Sequence, residues 1–263
     1  MRKLDRRQAL LSIGAAGVGL AAGVVPEFLR GTDATTTPSR HVRKAAHTAR
    51  PDPGYAHGRP LQALRRPIHN LHDLQPAAPP NAVALTIDDG PHPVWTPKML
   101  DLLAEFEVPA TFSLIGTQVT EEPRLVQRLV ASGHQVSDHT VTHPLNLPRL
   151  SASRIREEIG GAHDRIAQTT GVAPKFFRSP GGAWSQQIID IAAEHSMICI
   201  DWQVDPRDWA RPGTMRITDQ LLRAQAGDIL LCHDGGGDRS ETIRALRTVI
   251  PALKQRGLTF VAL

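Results

Sequence analysis

A chain of 263 residues with 41% hydrophobic content has apolar material for one ordinary domain plus extensions, which excludes a wholly disordered protein. Its formal charge of +4 is unevenly placed: residues 1–80 hold 12 Lys/Arg against 5 Asp/Glu, and residues 81–263 hold 18 against 21. The basic surplus belongs to the N-terminal third, so the remainder lacks the positive field that nucleic acid requires.

The N-terminal stretch MRKLDRRQALLSIGAAGVGLAAGVV reads as an export signal over residues 1–31: Arg6 and Arg7 precede a charge-free, Gly/Ala-rich run at residues 8–25. Few side chains in that run carry much transfer free energy, so it makes a poor membrane span and a suitable signal core. The arginine pair resembles a twin-arginine signal. No clear Ala-x-Ala cleavage site follows, which leaves an uncleaved anchor as the alternative and the membrane as a partner only through this segment. Residues 32–80, rich in Pro, Thr, Arg and His without a sustained period, read as a flexible basic linker. Its histidines (His41, His47, His57, His69 and His72) are scattered, as in a solvated linker rather than a metal tract.

From residue 81 the pattern turns regular and defines a domain over 81–263. Residues 82–88 predict a strand and 96–108 a helix, with Pro97 early and Met99, Leu102, Leu103 and Phe106 on one face. A strand over 110–115, a helix over 121–133 ended by Gly133 and a short strand over 134–138 follow. Residues 151–171 predict a long helix capped by Ser151 or Ser153, with Ile155, Ile159, Ala162 and Ile166 in line. Strands over 175–179, 197–202, 228–233 and 258–263 then alternate with helices over 185–196, 218–227 and 240–257. Such alternation predicts a parallel α/β sheet, open and doubly wound or closed into a barrel; ligands collect at the C-terminal strand ends in both. After the first strand, DDGPHP would meet a phosphate with two carboxylates, so nucleotide readings fail. Cys199 and Cys232 lie in apolar runs and read as buried free thiols, with one disulfide as the alternative; no Cys-based zinc motif is present.

The strand ends are unusually polar. The first ends in Asp88 and Asp89, the third leads to His139 and His143, the fourth to Arg178, the fifth to Asp205, Asp208 and Trp209, and the sixth ends in His233. Two imidazoles four apart with one carboxylate make a three-ligand site for zinc or a similar ion. The alternative is a pair of hydrogen-bonding loop histidines. Adjacent side chains near a strand end point apart, so one aspartate can bind a metal while the other accepts a proton from water. The alternative there is an Asp-Gly turn with a capping aspartate. A histidine held by a carboxylate, here Asp208, can remain protonated and act as an acid. Arg178 can orient the basic aspartate or form an ordinary surface pair. Trp184 and Trp209 can pack on sugar faces or cap the core.

Together these residues resemble the polysaccharide deacetylases, the NodB-homology group or carbohydrate esterase family four. Its five motifs occur in order as TIDDGP (86–91), HTVTH (139–143), RSPGG (178–182), DPRDW (205–209) and LCH (231–233), covering about residues 82–263. The resemblance implies a distorted (β/α) barrel of seven parallel strands. It implies Asp88 as base, Asp89, His139 and His143 as ligands of one divalent metal (usually zinc, sometimes cobalt or another ion), and Arg178 as the residue orienting Asp88. It further implies Asp208 as partner of the acid His233, and Trp209 and Leu231 as the walls of an acetyl-methyl pocket. Two positions depart from the pattern: Ile87 replaces the usual phenylalanine, and Gly181 stands where many members carry tyrosine. A backbone N–H at Gly181 can still serve an oxyanion. The expected function is an exported, monomeric N-deacetylase acting on an amino-sugar polymer of the peptidoglycan or chitin type. The alternatives are an O-deacetylase on xylan, a small-molecule amidase, a non-catalytic glycan-binding module, and a metal buffer.

Overall fold

The computed structural model describes residues 65–74 and 78–263; the expected export signal or anchor and residues 32–64 and 75–77 of the expected linker lie outside the described residues. Among the described residues, seven parallel strands alternate with seven α-helices. They run β1 (Ala82–Gly90), α1 (Trp95–Glu105), β2 (Thr111–Leu114), α2 (Gly116–Glu121), α3 (Pro123–Ala131), β3 (Gln135–Asp138) and α4 (Ala152–Thr170). The second half runs β4 (Phe176–Phe177), α5 (Gln186–Glu194), β5 (Ile198–Cys199), α6 (Thr214–Leu221), β6 (Ile229–His233), α7 (Ser240–Gln255) and β7 (Thr259–Val261). The strand order is β5-β4-β3-β2-β1-β6, and β7 shares the edge of β1 with β2, pairing lower down at Ala82–Ala84. This is the distorted barrel expected.

Closure of the barrel is indirect. β5 and β6 do not pair as strands; Val204, beyond β5, forms one parallel bridge to Leu230. Below it the seam holds residues 68–70, where Ile68 bridges Ile200 and Asn70 bridges Asp228. The Ile68 N–H donates to Cys199 O at 2.9 Å, the Asp201 N–H to Ile68 O at 2.7 Å, and the Leu71 N–H to Gly227 O at 2.7 Å. Ile68, Leu71 and Leu74 are buried with Ala82, Ala84, Phe176, Ile198 and Ile200. Residues 65–74, read from sequence as linker, therefore belong to the domain. Three aliphatics among polar residues over so short a stretch set no period that a pattern reading detects.

Alternation along the strands decides what reaches the active end. Val83, Leu85 and Ile87 of β1, with Leu230 and Cys232 of β6, join the core shared with Met99, Leu102 and Leu103 of α1. The intervening residues Ala82, Ala84, Thr86 and Asp88, with Ile229, Leu231 and His233, belong to the opposite face, following the two-residue period. Outside the sheet, α4 begins where the Ser151 hydroxyl accepts the Arg154 N–H and ends at Gly171, whose φ of 74° favours a residue without Cβ. Ile155, Ile159, Ala162 and Ile166 form its buried line, each aliphatic adding about 1.5–3 kcal/mol by leaving water.

The strands expected over 175–179 and 197–202 shorten to the two-residue β4 and β5, and two helices also differ from expectation. The helix expected over 218–227 spans Thr214–Leu221, beginning after Gly213 (φ 99°) and ending before the turn that carries Gly227. The six-residue α2 was not expected, since one turn and a half sets no apolar face. Cys199 and Cys232 are free and buried, and burial pushes the Cys199 thiol up to about 12. Among the described residues no helix is long and apolar enough to cross a membrane.

Candidate active site

The C-terminal ends of β1, β6 and the loops after β3, β4 and β5 enclose a hollow of about 430 Å³. Asp88, Asp89, His139, His143, Gly181, Trp209, Leu231 and His233 line it, all expected from sequence. Leu145, Trp202, Asp205, Gly236 and Arg239 line it too.

Asp88 ends the regular part of β1. Its Oδ1 accepts from Arg178 Nη1 at 2.9 Å, and the same nitrogen donates to Thr86 Oγ1 at 2.7 Å. Arg178 is fully buried beneath the hollow, and its Nη2 donates to Asp201 O at 2.9 Å. Its place is therefore inside the barrel, not in a surface ion pair. Plain strand geometry would send Asp89 to the other face of the sheet. Instead the β1–β2 register slips between Asp88 and Gly90, and Asp89 takes a φ of 74°. A bulge with a left-handed residue re-aims a side chain, at a cost of order 1–3 kcal/mol. Both carboxylates thus reach one imidazole: His139 Nε2 lies 3.8 Å from Asp88 Oδ2 and 3.6 Å from Asp89 Oδ1. The expectation that the pair points apart is corrected by that bulge.

The segment His139–His143 is a loop rather than a helical turn, with Thr140 and His143 both left-handed at φ 67° and 57°. Side chains pin it. Asp138 Oδ1 accepts the Thr140 N–H at 2.8 Å, and Glu158 of α4 accepts both the N–H and the hydroxyl of Thr142 at 2.8 Å. His139 Nδ1 lies 2.8 Å from Arg178 O; a carbonyl only accepts, so Nδ1 donates there and Nε2 is the ring nitrogen turned toward Asp89. His143 Nε2 is 3.3 Å from the same Asp89 oxygen.

One carboxylate oxygen and two imidazole nitrogens here lie within 4.8 Å of one another, and they form the one such group of three among the described residues. Burial opposes ionisation of Asp89, yet the neighbouring His139, with the charges of His233 and His143, holds its carboxyl well below the usual range. Burial also opposes protonation of His139, but Asp88 and Asp89 raise it. Burial, then His139, lowers His143. The carboxylates draw positive charge into the triad, and an O,N,N donor set of this kind fits a divalent cation of the zinc class.

On the other side of the hollow, His233 Nδ1 donates to Asp208 Oδ1 at 2.7 Å, which leaves its Nε2 as the free ring nitrogen. Asp208 Oδ2 accepts the His233 N–H at 2.9 Å and the Thr242 hydroxyl at 2.8 Å. Burial opposes the imidazolium, but the bond and charge of Asp208 outweigh it and push His233 up to about 9. Behind His233, Asp234 is fully buried; burial pushes its carboxyl up to about 7, and Thr96 donates to it at 2.6 Å.

Gly181 has a φ of 61°, and its N–H makes no hydrogen bond among the described residues, leaving a donor at the wall of the hollow. Leu231 is buried at the floor, while Trp209 is 47% exposed at the rim with the Arg207 guanidinium 5.1 Å from its ring centre. Trp184 does not line the hollow. It packs edge-on against Phe177 at 5.8 Å and donates from Nε1 to Asp201, so the core reading of this tryptophan holds. The aromatic that sequence reasoning missed is Trp202, the last residue of the strand expected over 197–202, which in the structure lies in the loop after β5. Arg239 was also missed; the signal for it was a cation two places after three consecutive glycines.

The family model for polysaccharide deacetylase matches residues 75–200. A chitooligosaccharide deacetylase of Bradyrhizobium sp. (strain ANU 289) is 42% identical over 211 residues, covering 75% of this chain and 93% of its own length. A peptidoglycan-N-acetylglucosamine deacetylase of Bacillus cereus is 38% identical, covering 68% of this chain and 84% of its own. Among solved structures, a CE4 family pseudoenzyme from Bacillus anthracis superposes with a TM-score of 0.68 at 30% identity, covering 76% of this chain and 68% of its own.

Proposed function

Since the chain belongs to the polysaccharide deacetylase family, we propose that its hollow removes N-acetyl groups from an amino-sugar polymer by hydrolysis, releasing acetate and a free amine. One observation carries this reading: a carboxylate, a metal-type triad and a carboxylate-paired imidazole converge on a single hollow. Fold alone would not carry it, because a pseudoenzyme shares the architecture.

A divalent cation held by Asp89, His139 and His143 would polarise the acetyl carbonyl and lower the pKa of a water molecule. The chain's own groups do the rest. Asp88, held through Oδ1 by Arg178, keeps Oδ2 free to take a proton from the attacking water. The Gly181 N–H receives the negative charge developing on the acetyl oxygen. His233, protonated at neutral pH through Asp208, gives its Nε2 proton to the departing nitrogen as the C–N bond breaks. Leu231 and Trp209 supply apolar surface for the acetyl methyl. The proton taken by Asp88 and the one given by His233 balance amide plus water against acid plus amine.

We place this activity outside the cytoplasm. The reading is supported by the basic, charge-free-cored N-terminus and by the basic character of residues 1–80, which suits a wall glycan bearing anionic polymers. Acetate release should be assayed on peptidoglycan fragments, chitin oligomers and acetylated xylan. Release from the amide-bearing glycans supports the proposal, and activity confined to xylan overturns it.

A further inference from the structure

Arg239, at the N-terminal end of α7, is a buried cation that no carboxylate contacts directly among the described residues. It is 2% exposed, forms no ion pair among the described residues, and is the sole Lys or Arg lining the hollow. Its guanidinium is fixed from two sides: Nε donates to Gly235 O at 2.6 Å and Nη1 to Asp208 O at 3.3 Å. Among the described residues Nη2 donates to no acceptor. The glycine run keeps that nitrogen open, since Nη2 lies 3.2 Å from where a Cβ on Gly236 would stand and 3.9 Å from one on Gly237. Asp89 Oδ2 lies 3.0 Å from the same Gly236 position, so the free nitrogen opens beside the triad. A buried, preorganised guanidinium with an idle N–H is costly unless an anionic oxygen meets it.

We propose that Arg239 is a carboxylate-binding group of the hollow, its Nη2 taking an oxygen of an anion that enters with the glycan or leaves after reaction. The chemistry is the same for two sources: the acetate released, or a carboxyl substituent on the amino sugar. The inference rests on the deacetylase reading for those sources. Bracing of the Asp208 and Gly235 loops is the competing explanation, and it predicts no preference among ligands.

The test compares wild type with Arg239→Gln and Arg239→Lys by two measurements. One is calorimetric titration of acetate; the other is the ratio of kcat/KM on acetylated oligomers with and without a ring carboxyl group. Loss of the charge-assisted bond should weaken acetate, or lower that ratio, roughly ten-fold or more. An effect on acetate alone assigns the site to product, and an effect on the ratio assigns it to substrate. Unchanged acetate affinity, with neutral and carboxylated oligomers slowed equally, overturns the proposal. Where glutamine prevents folding, Arg239→Lys is read by the same criteria, because an ammonium group lacks the fork that fixes Nη2. If wild type releases no acetate from any amide-bearing glycan, the deacetylase reading fails, while the acetate titration still decides whether Arg239 binds a carboxylate.

Discussion

Asp88 and His233 are register partners on adjacent parallel strands, so the proposed base and acid stand side by side at one end of the β1–β6 pair. Asp88→Asn keeps the shape and removes the base. Acetate release should fall by about 10²–10⁴-fold with KM little changed, the usual range for losing a positioned proton acceptor. A variant that retains wild-type kcat would remove Asp88 from that role.

Among the described residues Arg178 is the one Lys or Arg bonded to Asp88, and both are buried. Arg178→Met should therefore destabilise the fold by about 3–5 kcal/mol, because it strips a buried carboxylate of its hydrogen-bonded cation. Urea denaturation measures this, and an unchanged midpoint would show that Asp88 needs no partner.

His233 is raised from an ordinary 6.5 to about 9, so it binds its proton more tightly folded than unfolded. The stability it contributes is complete below 6.5 and disappears as pH rises through about 9. The alkaline limb of kcat/KM should lie in the same region. Asp208→Asn removes the group that raises His233, and the limb should move toward neutrality; a stationary limb would mean that another group sets it.

The expected motifs proved legible because each depends on residue identity at a strand end, which the two-residue period locates. Ser151 as the cap of α4 was legible for a similar local reason. The aim of Asp89 was not, since it follows from a register slip between β1 and β2, a relation between distant segments. Arg239 and Trp202 gain meaning only when the loops after β5 and β6 meet. Trp184 was a plausible sugar-facing residue, but Phe177 and Asp201 hold it, half-buried, against the core.

Metal affinity should depend on a residue that is no ligand. Glu158 holds the Thr142 N–H and hydroxyl and so fixes the loop carrying both histidines. Glu158→Ala should weaken zinc or cobalt binding by about 10-fold or more in competition with a chromophoric chelator, as supporting residues do. Chelation of wild type should abolish acetate release, and added divalent ion should restore it.

Gly235 is required by close approach, since a Cβ there would overlap the carbonyl oxygen of Asp89. Gly235→Ala should displace the Asp89 turn, lowering both melting temperature and metal affinity. Gly171→Ala, at an open helix end, should cost stability alone.

The stave formed by residues 68–70 has a practical consequence. It occupies the one gap in the cylinder, so a fragment cut at residue 75, where the family match begins, would present two unprotected strand margins to solvent. Such margins recruit copies of themselves, and shortened versions of this enzyme should assemble into aggregates that the longer chain avoids.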